Sequence, residues 1–150
     1  MKKPGEHRKL ALQALHDWFA QQQWAPFEFQ EKTWKAYLRG KSGLLNAPTG
    51  SGKTYALLLP VLAEWMIAHP EDYKNKSKNG LQLIWITPIR ALAKEIQMAA
   101  ERALDGLDIP WEVGIRTGDT KSSVRRKQSE QMPEILITTP ESLHLTRSRF

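Results

Sequence analysis

The octet Ala47-Pro48-Thr49-Gly50-Ser51-Gly52-Lys53-Thr54 constrains the fold of this chain more than any other feature. It follows the short apolar run Gly43-Leu44-Leu45 and precedes an apolar segment of helical length that begins near Thr54. A strand, a glycine loop and a helix in that order make a phosphate-binding loop. Glycine lets the backbone curl until several N–H groups face one anion, and the following helix aims its positive dipole end at the same point. Lys53 supplies a flexible cation for the outer phosphates, and the Thr54 hydroxyl suits a magnesium ion. The residues expected to cradle a nucleotide are Ala47, Thr49, Gly50, Ser51, Gly52, Lys53 and Thr54, with Lys53 and Thr54 nearest the chemistry.

Around that loop, helical and strand patterns alternate. Leu10, Ala14, Leu15, Trp18 and Phe19 fall at helical spacing and predict an amphipathic helix over about 7–22. Pro26 breaks the chain, and Gln30 to Leu38 reads as a second helix with Trp34, Tyr37 and Leu38 on one side. Gly40 and Gly43 bracket a turn into an expected strand at 43–45. The helix from Thr54 to Ala68 contains Pro60, which is expected to kink it or loosen its first turns. Polar residues 69–80 read as an exposed loop. Leu81–Ile86 and Trp111–Ile115 read as strands, with a helix from Arg90 to about Leu104 between them. A basic stretch (Lys121, Arg125, Arg126, Lys127) is expected to be helical. Ile135–Ile137 is a strand leading into a last helix. The alternation predicts an α/β fold, with a mostly parallel sheet and helices on both faces.

Composition narrows the function classes. At 150 residues the chain is one domain's worth, and with no cysteine it has neither disulfides nor thiolate metal sites. His7, His16, His69 and His144 are scattered without ligand-like pairing. No apolar run reaches membrane-spanning length, so the expected location is the cytoplasm and no membrane partner is expected. The net charge of +6 and a pI near 9.7 are compatible with a polyanionic partner such as nucleic acid, and equally with an ordinary solvated surface.

Three further segments lie at strand ends: Thr87-Pro88-Ile89-Arg90-Ala91-Leu92-Ala93, Thr117-Gly118-Asp119-Thr120 and Thr138-Thr139-Pro140-Glu141-Ser142. The carboxyl ends of parallel strands form the binding edge of such a sheet. Each segment carries hydroxyls, and two of them open helices whose first N–H groups are open to an anion. A row of such sites suits a run of backbone phosphates. Taken singly, each segment is as well explained by helix capping, with Thr87 or Thr139 satisfying its own backbone.

Together with the phosphate loop, these segments resemble the superfamily 2 nucleic-acid helicases of the DEAD/DEAH-box type. Ala47–Thr54 resembles their motif I, with alanine where a strict phosphate loop has glycine. Thr87–Ala93 is similar to motif Ia, Thr117–Thr120 to motif Ib, and Thr138–Ser142 to the segment before motif II. Gln30 stands where the family's Q motif carries an adenine-reading glutamine, with a surface helix glutamine as the alternative reading. Trp24–Gln30 (WAPFEFQ), Gly43–Thr54 (GLLNAPTGSGKT) and Ile86–Ala93 (ITPIRALA) are most similar to large helicase-related proteins, in particular the bacterial subgroup associated with a DNA ligase in damage repair.

The resemblance implies an incomplete RecA-like domain. It divides the chain into an N-terminal helical segment with the Q-motif-like region (1–40) and part of the first ATP-binding domain (41–150). It implies ATP and Mg2+ as ligands, with Thr54 on the metal and Gln30 on adenine. Thr87, Pro88, Arg90, Thr117, Gly118, Thr139 and Pro140 would contact single-stranded or partly duplex DNA, with RNA as an alternative. It also implies a DNA ligase or nuclease as partner. No Asp-Glu-x-Asp or Asp-Glu-x-His box occurs, and the adjacent acidic pair Glu71-Asp72 lies in a polar loop in the reverse order. Motif III and the second RecA-like domain are absent from these residues too, so the sequence reads as the amino-terminal piece of a longer enzyme, with strand edges and apolar faces left exposed. Two other readings stay open: a fragment that binds nucleotide without turnover, and an unrelated phosphate-loop enzyme such as a small-molecule kinase.

Overall fold

A computed structural model describes residues 3–48, residue 50 and residues 52–146, the side chains at 145 and 146 excepted. Thr49 and Ser51 of the phosphate loop lie outside the described residues. Nine elements follow in chain order among those residues: α1 (Pro4–Gln21), α2 (Glu28–Leu38), α3 (Lys53–Ala68), β1 (Leu83–Ile86), α4 (Arg90–Gly106), β2 (Val113–Arg116), α5 (Ser122–Glu130), β3 (Ile135–Thr138) and α6 (Pro140–Thr146). They fall into two compact units. One comprises Met1–Asn75 with Ala103–Ile109, and the other Lys76–Arg102 with Pro110–Phe150.

The first unit is helical. The apolar stripe of α1 buries Ala11, Leu15, Trp18 and Phe19, whereas Leu10, expected on the same stripe, is half exposed at 48%. Trp18 and Phe19 meet Trp24 and Tyr55 edge-on, and Phe19 meets Trp34 in the same way, with ring centroids between 5.2 and 6.2 Å apart. Such T-shaped pairs each add about 0.5–1.5 kcal/mol beyond the area they bury. Gly106 lies directly against the Trp18 indole, and a Cβ there would fall 2.0 Å from its Nε1. The α3 helix is mostly apolar and runs unbroken through Pro60, which is fully buried along with Leu58, Leu59, Leu62 and Ala63. Burial on this scale, roughly 1.5–3 kcal/mol for each large side chain, offsets the backbone hydrogen bond that proline removes. On α2, burial lifts the Tyr37 phenol above its ordinary pKa, and the Glu64 carboxylate of α3 adds to the rise.

The second unit carries a three-stranded parallel sheet of order β1-β3-β2. Ile86 and Arg116 both pair with Thr138, so the three strands end level. Central β3 is buried at all four positions, as expected of a strand covered on both faces. Edge strand β1 alternates instead, leaving Ile84 36% and Ile86 49% exposed.

Two expectations are corrected. Residues 43–45 form no strand, and Leu44 is 95% exposed. Strand geometry requires a hydrogen-bonded neighbour, and the described strands pair among themselves. Two of the strands also begin later than their apolar runs. Buried Glu134 is the reason: its backbone oxygen accepts from the N–H groups of Gln82 and Leu83, and its carboxylate accepts from Glu112 N–H at 2.9 Å and from Asn79 Nδ2 at 3.3 Å. This one residue aligns the entries to β1 and β2. Glu134→Ala keeps the backbone oxygen but is expected to leave the Glu112 N–H and Asn79 Nδ2 without their acceptor and to cost about 1–3 kcal/mol in urea unfolding. A loss below about 0.5 kcal/mol, the usual scatter of surface substitutions, would show that the alignment has another source.

Candidate functional site

Gly52 sets the geometry at the opening of α3. Gly52 adopts a left-handed conformation (φ 89°, ψ 25°) and serves as N-cap of α3, so Lys53 and Thr54 are the first two helical residues. Gly50 is left-handed as well (φ 75°). A glycine cap has no side chain to consume the orphan N–H groups of the first turn, which leaves them to an anion. A Cβ at Gly52 would lie 2.5 Å from Gln30 Nε2, so conformation and space both demand glycine. Lys53 and Thr54 are half-buried.

Gln30 is 2% exposed and holds this geometry from α2. Its Nε2 donates to the Gly52 carbonyl at 3.0 Å, and its Oε1 accepts from the Phe27 N–H at 2.8 Å. One turn on, the Trp34 indole donates to the Tyr55 carbonyl at 3.0 Å. Two successive turns of α2 are thus tied to the start of α3. Gln30 therefore stands beside the loop rather than on a solvated helix face. The bond from Trp34 was not visible in the sequence, because nothing local to Trp34 marks Tyr55 as its acceptor. A magnesium ion arriving with a nucleotide takes its oxygen ligands largely from phosphate and water, so one hydroxyl at Thr54 fits its needs. Among the described residues no cluster of three or more His, Asp or Glu side chains could hold a metal by itself.

In the second unit the strand ends form a buried shelf with an exposed rim. Thr87, Thr117, Thr138 and Thr139 are each no more than 5% exposed. Their hydroxyls are turned inward. Thr87 Oγ1 is 3.4 Å from Ile89 N, Thr139 Oγ1 donates to Ser142 Oγ at 3.2 Å, and Thr138 Oγ1 donates to the Arg116 carbonyl at 2.7 Å. The capping reading of Thr87 and Thr139 thus describes what their side chains do. The turn after β2 is knotted in the same way: Thr117 N–H donates to Thr120 Oγ1 (2.9 Å), Asp119 N–H to Thr117 Oγ1 (3.3 Å), and Arg125 Nη2 to the Thr117 carbonyl (2.6 Å).

What faces solvent is the next layer out, namely Pro88, Ile89 and Arg90, Gly118 and Asp119, and Pro140. Arg90, at the start of α4, reaches across to the second of these segments, where its Nη1 lies 3.0 Å from Asp119 Oδ1. The structure therefore brings together Arg90 and Gly118, and sets Thr87, Thr117 and Thr139 level behind them. The residues of the 47–54 loop belong to the other unit. Asp119 as the partner of Arg90 was missed by sequence reasoning; the pair is separated by 29 residues, beyond any local pattern. No helix among the described residues is long and apolar enough to cross a membrane.

Comparison with known proteins agrees with this geometry. A family model described as DEAD/DEAH box helicase matches residues 27–149. The Lhr helicase/uracil glycosylase of Escherichia coli (strain K12) is 37% identical over 143 residues, or 88% of this chain and 9% of that protein. The ATP-dependent helicase Lhr-Core of Sulfolobus acidocaldarius is 37% identical over 114 residues, or 72% of this chain and 13% of that protein. Among solved structures, Mycobacterium smegmatis helicase Lhr bound to ssDNA and AMP-PNP aligns with a TM-score of 0.74 at 32% identity, covering 87% of this chain and 17% of that one. The chain spans about a tenth of the length of the curated relatives it matches. A phosphate loop opening α3, a parallel sheet with its polar strand ends in one row, and a family match over most of its length place this chain in the DEAD/DEAH box helicase family.

Proposed function

We propose that this chain is the nucleotide-binding part of an ATP-dependent nucleic-acid helicase or translocase. The observation that carries the reading is the left-handed Gly52 that opens α3 with Lys53 and Thr54 as its first residues, held by Gln30. Lys53 and the loop amides would hold the outer phosphates, and Thr54 would hold magnesium. Bound with the nucleotide, that ion neutralises charge on the phosphates. Gln30 keeps one N–H and one lone pair beyond its bonds to Gly52 and Phe27, the complement of one adenine edge.

The rim of the strand ends would grip a single strand through its phosphates, with Arg90 as cation and the first N–H groups of α4 and of the turn at Gly118 as neutral donors. Such contacts are indifferent to base sequence and sensitive to salt. DNA, single-stranded or partly duplex, is the proposed substrate, supported by the ssDNA held by the Mycobacterium smegmatis relative. A place in DNA repair beside a ligase or nuclease, and a division into segments 1–40 and 41–150, belong to the same proposal.

Lys53→Ala is expected to lower ATP affinity by at least tenfold in calorimetry, since the loop loses its one side-chain cation. Equal affinity in mutant and parent would remove the assignment. Arg90→Ala is expected to weaken single-stranded DNA binding about equally for all sequences and to lower the log–log salt slope by roughly one unit. A loss confined to particular base sequences would refute a backbone grip.

A further inference from the structure

We propose that Asp119 is a built-in competitor for the phosphate that Arg90 would grip, so that this edge holds a strand less tightly than its cations alone would allow. The inference rests on the reading of the strand-end rim as a nucleic-acid edge and goes one residue further. Arg90 Nη1 lies 3.0 Å from Asp119 Oδ1, and the guanidinium lies across Gly118. A Cβ at position 118 would come within 2.5 Å of Arg90 Nη2 and 3.2 Å of its Cζ, so a side chain there would push the arginine off this path. The carboxylate is presented by a rigid turn: Asp119 N–H is bonded to Thr117 Oγ1, Thr120 N–H to the Thr117 carbonyl, and that carbonyl also to Arg125 Nη2.

A carboxylate and a phosphate offer a guanidinium the same oxygen geometry, so one occupies the place of the other. The pair is nonetheless easily exchanged. Its side chains are 57% and 74% exposed, a setting in which an ion pair adds little to stability. When a phosphate displaces Asp119, the freed carboxylate recruits a cation from solution. That uptake subtracts from the counterions the nucleic acid releases, which lowers both the affinity and its dependence on salt. Gly118 and Asp119 act as a unit here, the first giving passage to Arg90 and the second neutralising it.

The test is fluorescence anisotropy of a labelled oligo(dT) against the 150-residue chain and its variants over a salt series. Asp119→Asn is expected to bind about three- to fivefold more tightly at low salt, the scale of one exposed ion pair. Its log–log slope should be steeper by up to about one unit. Most of this gain should vanish in an Arg90→Ala background. If Asp119→Asn binds no better than the parent while Arg90→Ala binds worse, Asp119 is no competitor, and the strand-end reading survives without it. A gain of equal size in the Arg90→Ala background would mean a diffuse charge effect and would also overturn the proposal. If Arg90→Ala leaves binding unchanged, the strand-end reading itself fails.

Discussion

The second unit depends on a single constraint, the parallel pairing of β3 to a neighbour on each side at the same level. Thr138 stands opposite both Ile86 and Arg116. The residue after each strand, Thr87, Thr117 or Thr139, is therefore delivered to the same edge. A parallel ladder allows this alignment, because every strand leaves the sheet in the same direction. The ladder runs on past β1 through the Thr87 N–H bond to the Thr138 carbonyl, and the Thr138 hydroxyl closes onto the Arg116 carbonyl. With the threonines turned inward, the shelf is buried and hydrogen-bonded within itself. Groups one to three residues further on, Arg90 above all, are left to face solvent.

The helical unit solves a similar problem by other means. A phosphate loop needs a tight, left-handed backbone, and such a conformation persists only when its surroundings hold it in place. Here α2 does so with a buried amide against Gly52 and an indole against the Tyr55 carbonyl. The aromatic cluster of Trp18, Phe19, Trp24, Trp34 and Tyr55 then packs that join to α1. Each bond, to the Gly52 or the Tyr55 carbonyl, contributes only about 1 kcal/mol. Their value lies in direction, since both act on the residues flanking Lys53 and Thr54.

Much of this was legible in the sequence, and the reasons separate cleanly. The start of α3 just after the glycine loop, expected at Thr54 and found at Lys53, the sequence of strands and helices after it, and the level row of threonines follow from local signals. Glycines, periodic apolar residues and Thr-Pro pairs at strand ends carry their meaning within a few positions. The failures are all non-local. Leu44 and Leu45 have the composition of a strand, yet a strand exists only through its partner. The capping of Thr87 and Thr139 and their place on a binding edge looked like rival readings. In the fold the inward hydroxyls bond within their own turns, and the groups that face solvent, on which the proposed grip would rest, come next along the chain. Glu134 trims β1 and β2 from 22 residues beyond Glu112, and Asp119 meets Arg90 across 29.

The two candidate sites differ in how tightly their geometry is held, and that difference matches the two ligand classes proposed for them. A nucleotide has one shape and must be positioned to a fraction of an ångström for transfer of its outer phosphate. The loop at Gly52 is accordingly built from a nearly inaccessible glutamine and a left-handed glycine that no other residue can replace without strain. A strand that is to be moved along must be held and then let go. The rim at Arg90 is accordingly built from an exposed cation whose ion pair is worth little to stability and exchanges readily. Rigid support behind a weak contact lets the contact break without disturbing the fold. On this view the shelf of buried threonines and the solvated Arg90–Asp119 pair are parts of one arrangement, the first keeping the edge in register while the second opens and closes.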